Sequence, residues 1–192
     1  MTTLTTQRLQ LQPFDHHHFD GLRKLHTTPE VMRYIRGRPE TEDETIAVID
    51  RVKAEWLTLG YSWWAFVDNS SGRLIGCGCI QNMERNLANP LEIGWRLSPD
   101  VWGQGYATEA ATAMADFAFN ILASRELHAV CHLQNTDSEK MMQRLGMTYR
   151  GVEQWYDTET TVYVMSRDEW QRRSDSSIHH AIQGKIENIK IT

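Results

Sequence analysis

Two glycines lie where a strand-like segment gives way to a helix-like one. Leu91–Leu97 reads as a strand, and from Ala107 onward apolar residues recur at spacings of three and four, as on one face of a helix. Gly103 and Gly105 lie between these segments. A helix start leaves backbone N–H groups unpaired and partly positive, and glycine lets an anion approach the backbone closely. The pattern predicts a phosphate site, although the same glycines could serve only a tight turn.

Two other phosphate motifs do not fit these residues. A P-loop ends in Lys followed by Ser or Thr, and no such pair follows Gly105. The dinucleotide fingerprint needs a third glycine where Thr108 stands, and it belongs to a parallel βαβ unit. The short connections between the strand-like runs from Ser62 to Leu97 instead predict an antiparallel meander.

The segment WGQGYATEA, residues 102–110, resembles the acetyl-CoA motif of the GNAT superfamily and especially its RimJ/RimL-type branch, with Trp102 where the general motif has Gln or Arg. Further matching segments follow the family's order: TQRLQLQP from Thr6, EIGW from Glu92, and NTDS from Asn135 with a later LGM. The resemblance covers about residues 6–173. It implies an α+β (mixed α/β), GNAT-like fold whose mostly antiparallel sheet is splayed where acetyl-CoA inserts, with helices on both faces.

The resemblance also implies which residues hold acetyl-CoA. The diphosphate would be bound by the backbone N–H groups of Gln104, Gly105, Tyr106, Ala107 and Thr108. Trp95 and Leu97, with Arg96 between them, would pair with the pantetheine arm. Asn135 matches a family position that hydrogen-bonds this arm, and Ser138 lies one helical turn later on the same side.

Acetyl transfer to an amine needs a base, because an α-amine with a pKa near 8 or a lysine with a pKa of about 10.4 is largely protonated at neutral pH. Glu92 resembles the strand carboxylate that is a base elsewhere in the superfamily; the alternative is a carboxylate in solvent or a salt bridge. Glu84 is the reserve base and could instead bind a cationic acceptor. Many relatives carry a tyrosine acid where this chain has Met142, which cannot donate a proton. Ser138 is then the nearest replacement.

The hydrophobic periodicity predicts one domain over residues 6–173 and a polar tail over 174–192 that could be disordered. The predicted order is β-α-α-β-β-β-α-β-α-β-β. The elements are a strand over Arg8–Phe14, an interrupted helix over Asp15–Ile35, a helix over Thr41–Leu59, strands over Ser62–Asp68, Leu74–Ile80 and Leu91–Leu97, a helix from Ala107 to about Ile121, a strand over Leu127–Leu133, a helix over Thr136–Leu145, and strands over Thr148–Tyr156 and Thr160–Ser166.

Composition narrows the classes of function. A net charge of −5 and a pI near 5.9 give no basic footprint for nucleic acid. No apolar run approaches the roughly 20 residues that span a bilayer, and the first residues lack the apolar core of a signal peptide. Cys77, Cys79 and Cys131 are too few and irregular for a disulfide framework, so a cytoplasmic location is expected. With His128 and His132 they could suggest zinc, but the paired spacings are absent and no metal site is predicted.

The sequence therefore predicts an acetyl-CoA-dependent N-acetyltransferase acting by direct attack in a ternary complex, without a cysteine intermediate. By resemblance, a protein N-terminal α-amine, such as that of a ribosomal protein, is the first acceptor class, and a polyamine or drug is the alternative. A non-catalytic acyl-CoA sensor is the rival that Met142 favours. The acceptor pocket is expected around Tyr34, Trp63 and Tyr156. The oligomeric state stays open, with a homodimer among the alternatives.

Overall fold

A mixed sheet forms the centre of the molecule. The computed structural model describes residues 1–173 of the chain. The strands are β1 (Leu4–Thr5), β2 (Leu9–Pro13), β3 (Trp63–Asp68), β4 (Leu74–Asn82), β5 (Leu91–Leu97), β6 (Glu126–His132), β7 (Thr148–Trp155) and β8 (Thr158–Ser166). Their order across the sheet is β1-β2-β3-β4-β5-β6-β8-β7, so β8 inserts between β6 and β7.

Six α-helices accompany the sheet in residues 1–173. They are α1 (Phe19–Thr27), α2 (Pro29–Met32), α3 (Glu42–Leu59), α4 (Tyr106–Asp116), α5 (Thr136–Leu145) and α6 (167–173). Helix α3 begins with a capping box, in which Thr41 and Glu44 satisfy each other's backbone N–H groups, and it ends at Gly60 with a left-handed φ of 78°. Helix α4 continues into a π-helical turn over Phe117–Ile121.

Strands β5 and β6 make the one parallel pairing in the described sheet, and they are joined at a single register position. Glu92 lies opposite His128 there, whereas β4 and β5 are paired along seven positions. Past this position the two strands no longer pair. The edge of β5 that faces β6 is therefore open toward its C-terminal end, which leads directly into the loop before α4.

The two faces of the sheet are covered by different helices. Side chains alternate along a strand, so Glu92, Gly94 and Arg96 share one face of β5. This face, called the α1 face below, packs against α1, where the Cys77 sulfur lies 3.9 Å from His26 Nε2. The opposite face packs against α4, and a Cβ added at Gly78 would fall 2.8 Å from the Met114 methyl group.

The predicted fold class and the antiparallel meander of β3, β4 and β5 are confirmed, and the helix over Thr136–Leu145 has the predicted bounds. Strand β1 and helix α6 were missed, because two strand residues carry no periodicity and α6 lies in a polar segment. The predicted helix from Ala107 to about Ile121 has nearly the observed extent, but its last turn, Phe117–Ile121, is π-helical. The tail over 174–192 lies outside the described residues.

None of the described helices combines the length and the apolar character needed to cross a bilayer.

Candidate active site

The first turn of α4 is open to an anion. Gly103 and Gly105 have φ values of 73° and 81°, a conformation that glycine adopts without strain, and Gly105 is the N-cap residue. Among residues 1–173 no side chain caps this helix, so the N–H groups of its first turn remain available. The Trp102 indole donates to the Leu97 carbonyl oxygen at 2.8 Å and folds the glycine loop back onto the end of β5.

A polar clamp joins the start of α4 to the N-terminal segment. Glu109 accepts hydrogen bonds from the Thr6 hydroxyl at 2.6 Å and from the Arg8 Nε and backbone N–H at 2.6 and 2.7 Å. The Arg8 side chain also donates to the Gln104 carbonyl oxygen at 2.9 Å and lies over the Tyr106 ring. The Arg8 guanidinium, paired with Glu109, therefore lies beside the open helix start, a position that sequence reasoning missed because its contacts are about a hundred residues away in the chain.

The remaining predicted cofactor residues line the opening between β5 and β6. Trp95 and Leu97 lie on the unpaired part of β5, and Asn135 follows β6 directly. Asn135 Oδ1 accepts a hydrogen bond from the Ser138 N–H at 3.3 Å and so caps α5. An uncapped helix start and an open strand edge suit the diphosphate and the amide-bearing arm of acetyl-CoA, respectively.

Glu92 lies at the narrow end of this opening, on the α1 face. It is 8% exposed and accepts hydrogen bonds from the Tyr156 hydroxyl and from Gln81 Nε2, the latter at 3.3 Å. Burial raises the pKa of the Glu92 carboxyl to about 7, and the hydrogen bonds from Tyr156 and Gln81 oppose part of that rise. A carboxylate with this pKa can take a proton near neutral pH.

Tyr156 reaches Glu92 from the tight turn between β7 and β8. Tyr156 and Asp157 both have left-handed φ values, 56° and 59°, which are costly for residues other than glycine. Glu84 and Arg85, in the loop before β5, share this conformation at 55° and 56°. The two strained segments meet where Glu84 Oε1 accepts the Tyr156 N–H at 2.9 Å. Glu84 thus holds the turn that places Tyr156, and we call this contact the hairpin clasp.

Met142 and the cysteines are poorly placed for proton transfer or nucleophilic attack. Met142 is 1% exposed and belongs to the hydrophobic core. Burial raises the pKa of the Cys77 and Cys131 thiols to about 12 and keeps that of Cys79 well above its usual value, so all three stay protonated. Across residues 1–173, no group of three or more His, Cys, Asp and Glu side chains is arranged to hold a metal ion.

Comparison with known proteins agrees with this geometry. The acetyltransferase (GNAT) domain model matches residues 8–148. The FsC-acetyl coenzyme A-N(2)-transacetylase of Aspergillus fumigatus is 32% identical over 92% of this chain and 81% of its own length. The crystal structure of an acetyltransferase from Agrobacterium tumefaciens superposes with a TM-score of 0.74 and 28% identity, covering 86% of this chain and 94% of that one. A GNAT-family acetyltransferase from Bacillus anthracis shares the fold, with a TM-score of 0.74, 21% identity, and coverage of 88% of this chain and all of that one.

A mixed sheet opened between two parallel strands, beside an uncapped helix start, defines a class of acyl-CoA-dependent transferases. The chain belongs to the GNAT acetyltransferase family. It is an N-acetyltransferase that uses acetyl-CoA as its donor.

Proposed function

We propose that this N-acetyltransferase acetylates a primary amine of a small molecule, with Glu92 as the general base. The observation that carries the proposal is the position and proton affinity of Glu92. Its carboxyl lies at the narrow end of the β5–β6 opening, buried on the α1 face, with a pKa near 7. A base in that range is about half ionised at neutral pH and still accepts a proton readily.

Each residue of the proposed site has a task. The first-turn amides of α4, aided by Arg8, hold the diphosphate, and the open edge of β5 at Trp95 and Leu97 aligns the arm. Acetyl-CoA supplies the activated acyl group. Glu92 removes a proton from the bound ammonium group, directly or through water, so that the amine nitrogen can form the C–N bond as the C–S bond breaks.

After the attack the acylated nitrogen carries one surplus proton and the departing thiolate needs one, so this proton can pass from the nitrogen to the sulfur through a donor group. Ser138 remains our proposed donor, since its backbone N–H donates to Asn135 Oδ1 and the residue lies in the first turn of α5. Because a thiolate is a good leaving group, we expect this proton donor to contribute less to the rate than the base does.

Two considerations support a small acceptor over a protein N-terminus. The hairpin clasp brings Tyr156 directly onto Glu92, which narrows the approach to the base from the α1 face. The relative from Aspergillus fumigatus is named for N(2) transacetylation of FsC. A place in the RimJ/RimL-type branch remains part of the proposal on the motif residues alone, and the three protonated thiols support the proposed cytoplasmic location.

Thiol release from acetyl-CoA tests the proposal when it is measured with small primary amines and with peptides that carry free N-termini. Glu92→Gln should lower kcat/KM by at least about 10²-fold while the Kd for acetyl-CoA stays the same. Glu159→Gln, an exposed carboxylate on β8, is the matched control and should leave both values unchanged. Tight acetyl-CoA binding without turnover of any amine would indicate a non-catalytic sensor. A preference for the peptides would favour a protein N-terminus as the acceptor.

A further inference from the structure

Arg96, a cation on the α1 face, makes no ion pair or side-chain hydrogen bond within residues 1–173, although it is close enough to Glu40 for the two charges to interact. Arg96 lies two strand positions beyond Gly94, with its guanidinium carbon 4.6 Å from the centre of the Trp63 ring. Its Nε is buried and has no hydrogen-bond partner within residues 1–173, and no carboxylate there lies within ion-pair distance of it. A guanidinium offers five N–H donors, and leaving buried donors unpaired is costly.

The nearby acid that could have paired with Arg96 is already engaged. Glu40 is buried, and its carboxylate binds His26 Nδ1 at 2.8 Å and the Thr45 hydroxyl at 3.4 Å. Stacking on Trp63 therefore holds the Arg96 guanidinium in place, while the adjacent Glu40 carboxylate takes its hydrogen bonds from other groups. Such an arrangement fits an arginine whose acceptor arrives with a ligand.

Arg96 and Glu92 are linked through one continuous row of side chains. The Trp63 indole under Arg96 donates to Gln81 Oε1 at 3.0 Å, and Gln81 Nε2 donates to Glu92 Oε1 at 3.3 Å. Between the two charged residues on β5 lies Gly94, where an added Cβ would lie 3.2 Å from Cys79 Sγ and 3.9 Å from Glu92 Oε1. The surface between the base and the cation is therefore formed by a glycine and the small Cys79 side chain on β4, and no bulky side chain of β5 stands between Glu92 and Arg96.

The spacing suits a small bifunctional molecule. Residues four apart on a strand have Cα atoms about 13 Å apart, and the long side chains of Arg and Glu shorten the gap between their head groups. A single guanidinium matches a monoanion with two coplanar oxygens, which it can bind through two parallel hydrogen bonds. A phosphate dianion would be expected to draw a second cation to the same place.

Building on the proposed amine acetylation, we propose that Arg96 binds a carboxylate of the acceptor while Glu92 takes the proton from its amine. The acceptor is then an amino acid or another primary amine that carries a carboxylate. Arg96 sets specificity and holds the amine at Glu92.

A series of straight-chain ω-amino acids with two to six carbons, each compared with the n-alkylamine of equal length, tests this assignment. We expect at least one amino acid to exceed its alkylamine in kcat/KM by about 10-fold or more, the size of one charge-assisted hydrogen-bonded contact. The chain length at the maximum reports the separation of the two subsites. In Arg96→Gln the preference should fall to about one, through KM, with the Kd for acetyl-CoA unchanged.

Two further variants make the result specific. Arg150→Gln removes an exposed arginine that pairs with Glu153 and should keep the full preference. Arg96→Lys keeps the charge without the planar fork and should retain only part of the preference, which also covers the case in which Arg96→Gln fails to fold.

Several outcomes would overturn the assignment. Equal turnover of amino acids and alkylamines by the unmodified enzyme would do so, as would an Arg96→Gln variant that loses both activities equally or loses acetyl-CoA affinity. If no amine is turned over, the proposed acetylation fails separately. Saturation-transfer NMR with 4-aminobutyrate and CoA then still decides: binding that Arg96→Gln abolishes supports the carboxylate site, and equal or absent binding in both proteins rejects it.

Discussion

Glu92 combines a buried position with two hydrogen-bond donors, and these influences act on its proton affinity in opposite directions. Burial disfavours the charged form, whereas Tyr156 and Gln81 favour it. The balance gives a pKa of about 7. Because the base must be ionised, kcat/KM should rise with pH up to about 7 and then level off until another group titrates.

Tyr156→Phe removes the hydroxyl that stabilises the ionised form of Glu92. The pKa of Glu92 should therefore increase further, and the acidic limb of the kcat/KM profile should move to higher pH. Tyr149→Phe, at an exposed tyrosine on β7, is the control and should leave the profile in place. A Tyr156→Phe profile that falls in amplitude without shifting would mean that this hydroxyl does not influence the base.

Glu92 also makes stability depend on pH. Its pKa rises from 4.5 in the unfolded chain to about 7 in the fold, so its protonated form stabilises the protein at low pH and this contribution is lost as the pH rises through 7. Glu92→Gln should thus be more stable than the parent at pH 8, by on the order of 3 kcal/mol at most, with a smaller difference at pH 5. Urea unfolding at both pH values measures this. Glu159→Gln should show no such trend, and a constant difference for Glu92→Gln would contradict the assigned pKa.

At the scale of elements, the start of α4 depends on backbone amides that no side chain of the described residues caps. Gly105→Glu adds a negative charge and a Cβ at a φ of 81°, beside the Arg8 guanidinium. We expect acetyl-CoA affinity to fall by more than about 10²-fold, because the charge repels the diphosphate where the helix attracts it.

Gly60→Glu is the matched control for backbone strain in that experiment. Gly60 has a φ of 78° at the other end of a helix, with nothing within 4 Å of an added Cβ. The Gly60→Glu variant should lose about as much stability as Gly105→Glu. Its acetyl-CoA affinity, measured by isothermal titration, should stay unchanged. If Gly105→Glu binds acetyl-CoA as tightly as the parent, the assignment of the diphosphate site to the start of α4 is wrong.

Local sequence patterns specified the elements better than they specified the site. Apolar spacing, Thr41 and Gly60 identified α3, and the glycine pair identified the loop before α4. In contrast, the contact of Tyr156 with Glu92 spans 64 positions in the chain and depends on a turn built from Tyr and Asp, which is not a typical sequence for that turn. Likewise, the missing partner of Arg96 is a property of the packed α1 face, which no spacing encodes.

For the whole molecule, β5 and β6 are paired at a single register position, and this weak pairing divides the sheet into two halves. A ligand that bridges them should stabilise the folded chain. At 100 times its Kd, acetyl-CoA should add about 2.7 kcal/mol, equivalent to a Tm increase of roughly 5–10 °C for a chain of this size. Thermal unfolding with and without acetyl-CoA measures the increase, and Gly105→Glu should show almost none. A rise of the same size in that variant would place the ligand elsewhere.

The division of the sheet also connects the lifetime of the protein to metabolism. Local opening is easiest where few bonds hold strands together, and proteases attack such open forms in proportion to their population. When acetyl-CoA is scarce, a larger fraction of the molecules should have β5 and β6 separated, and proteolysis should be faster.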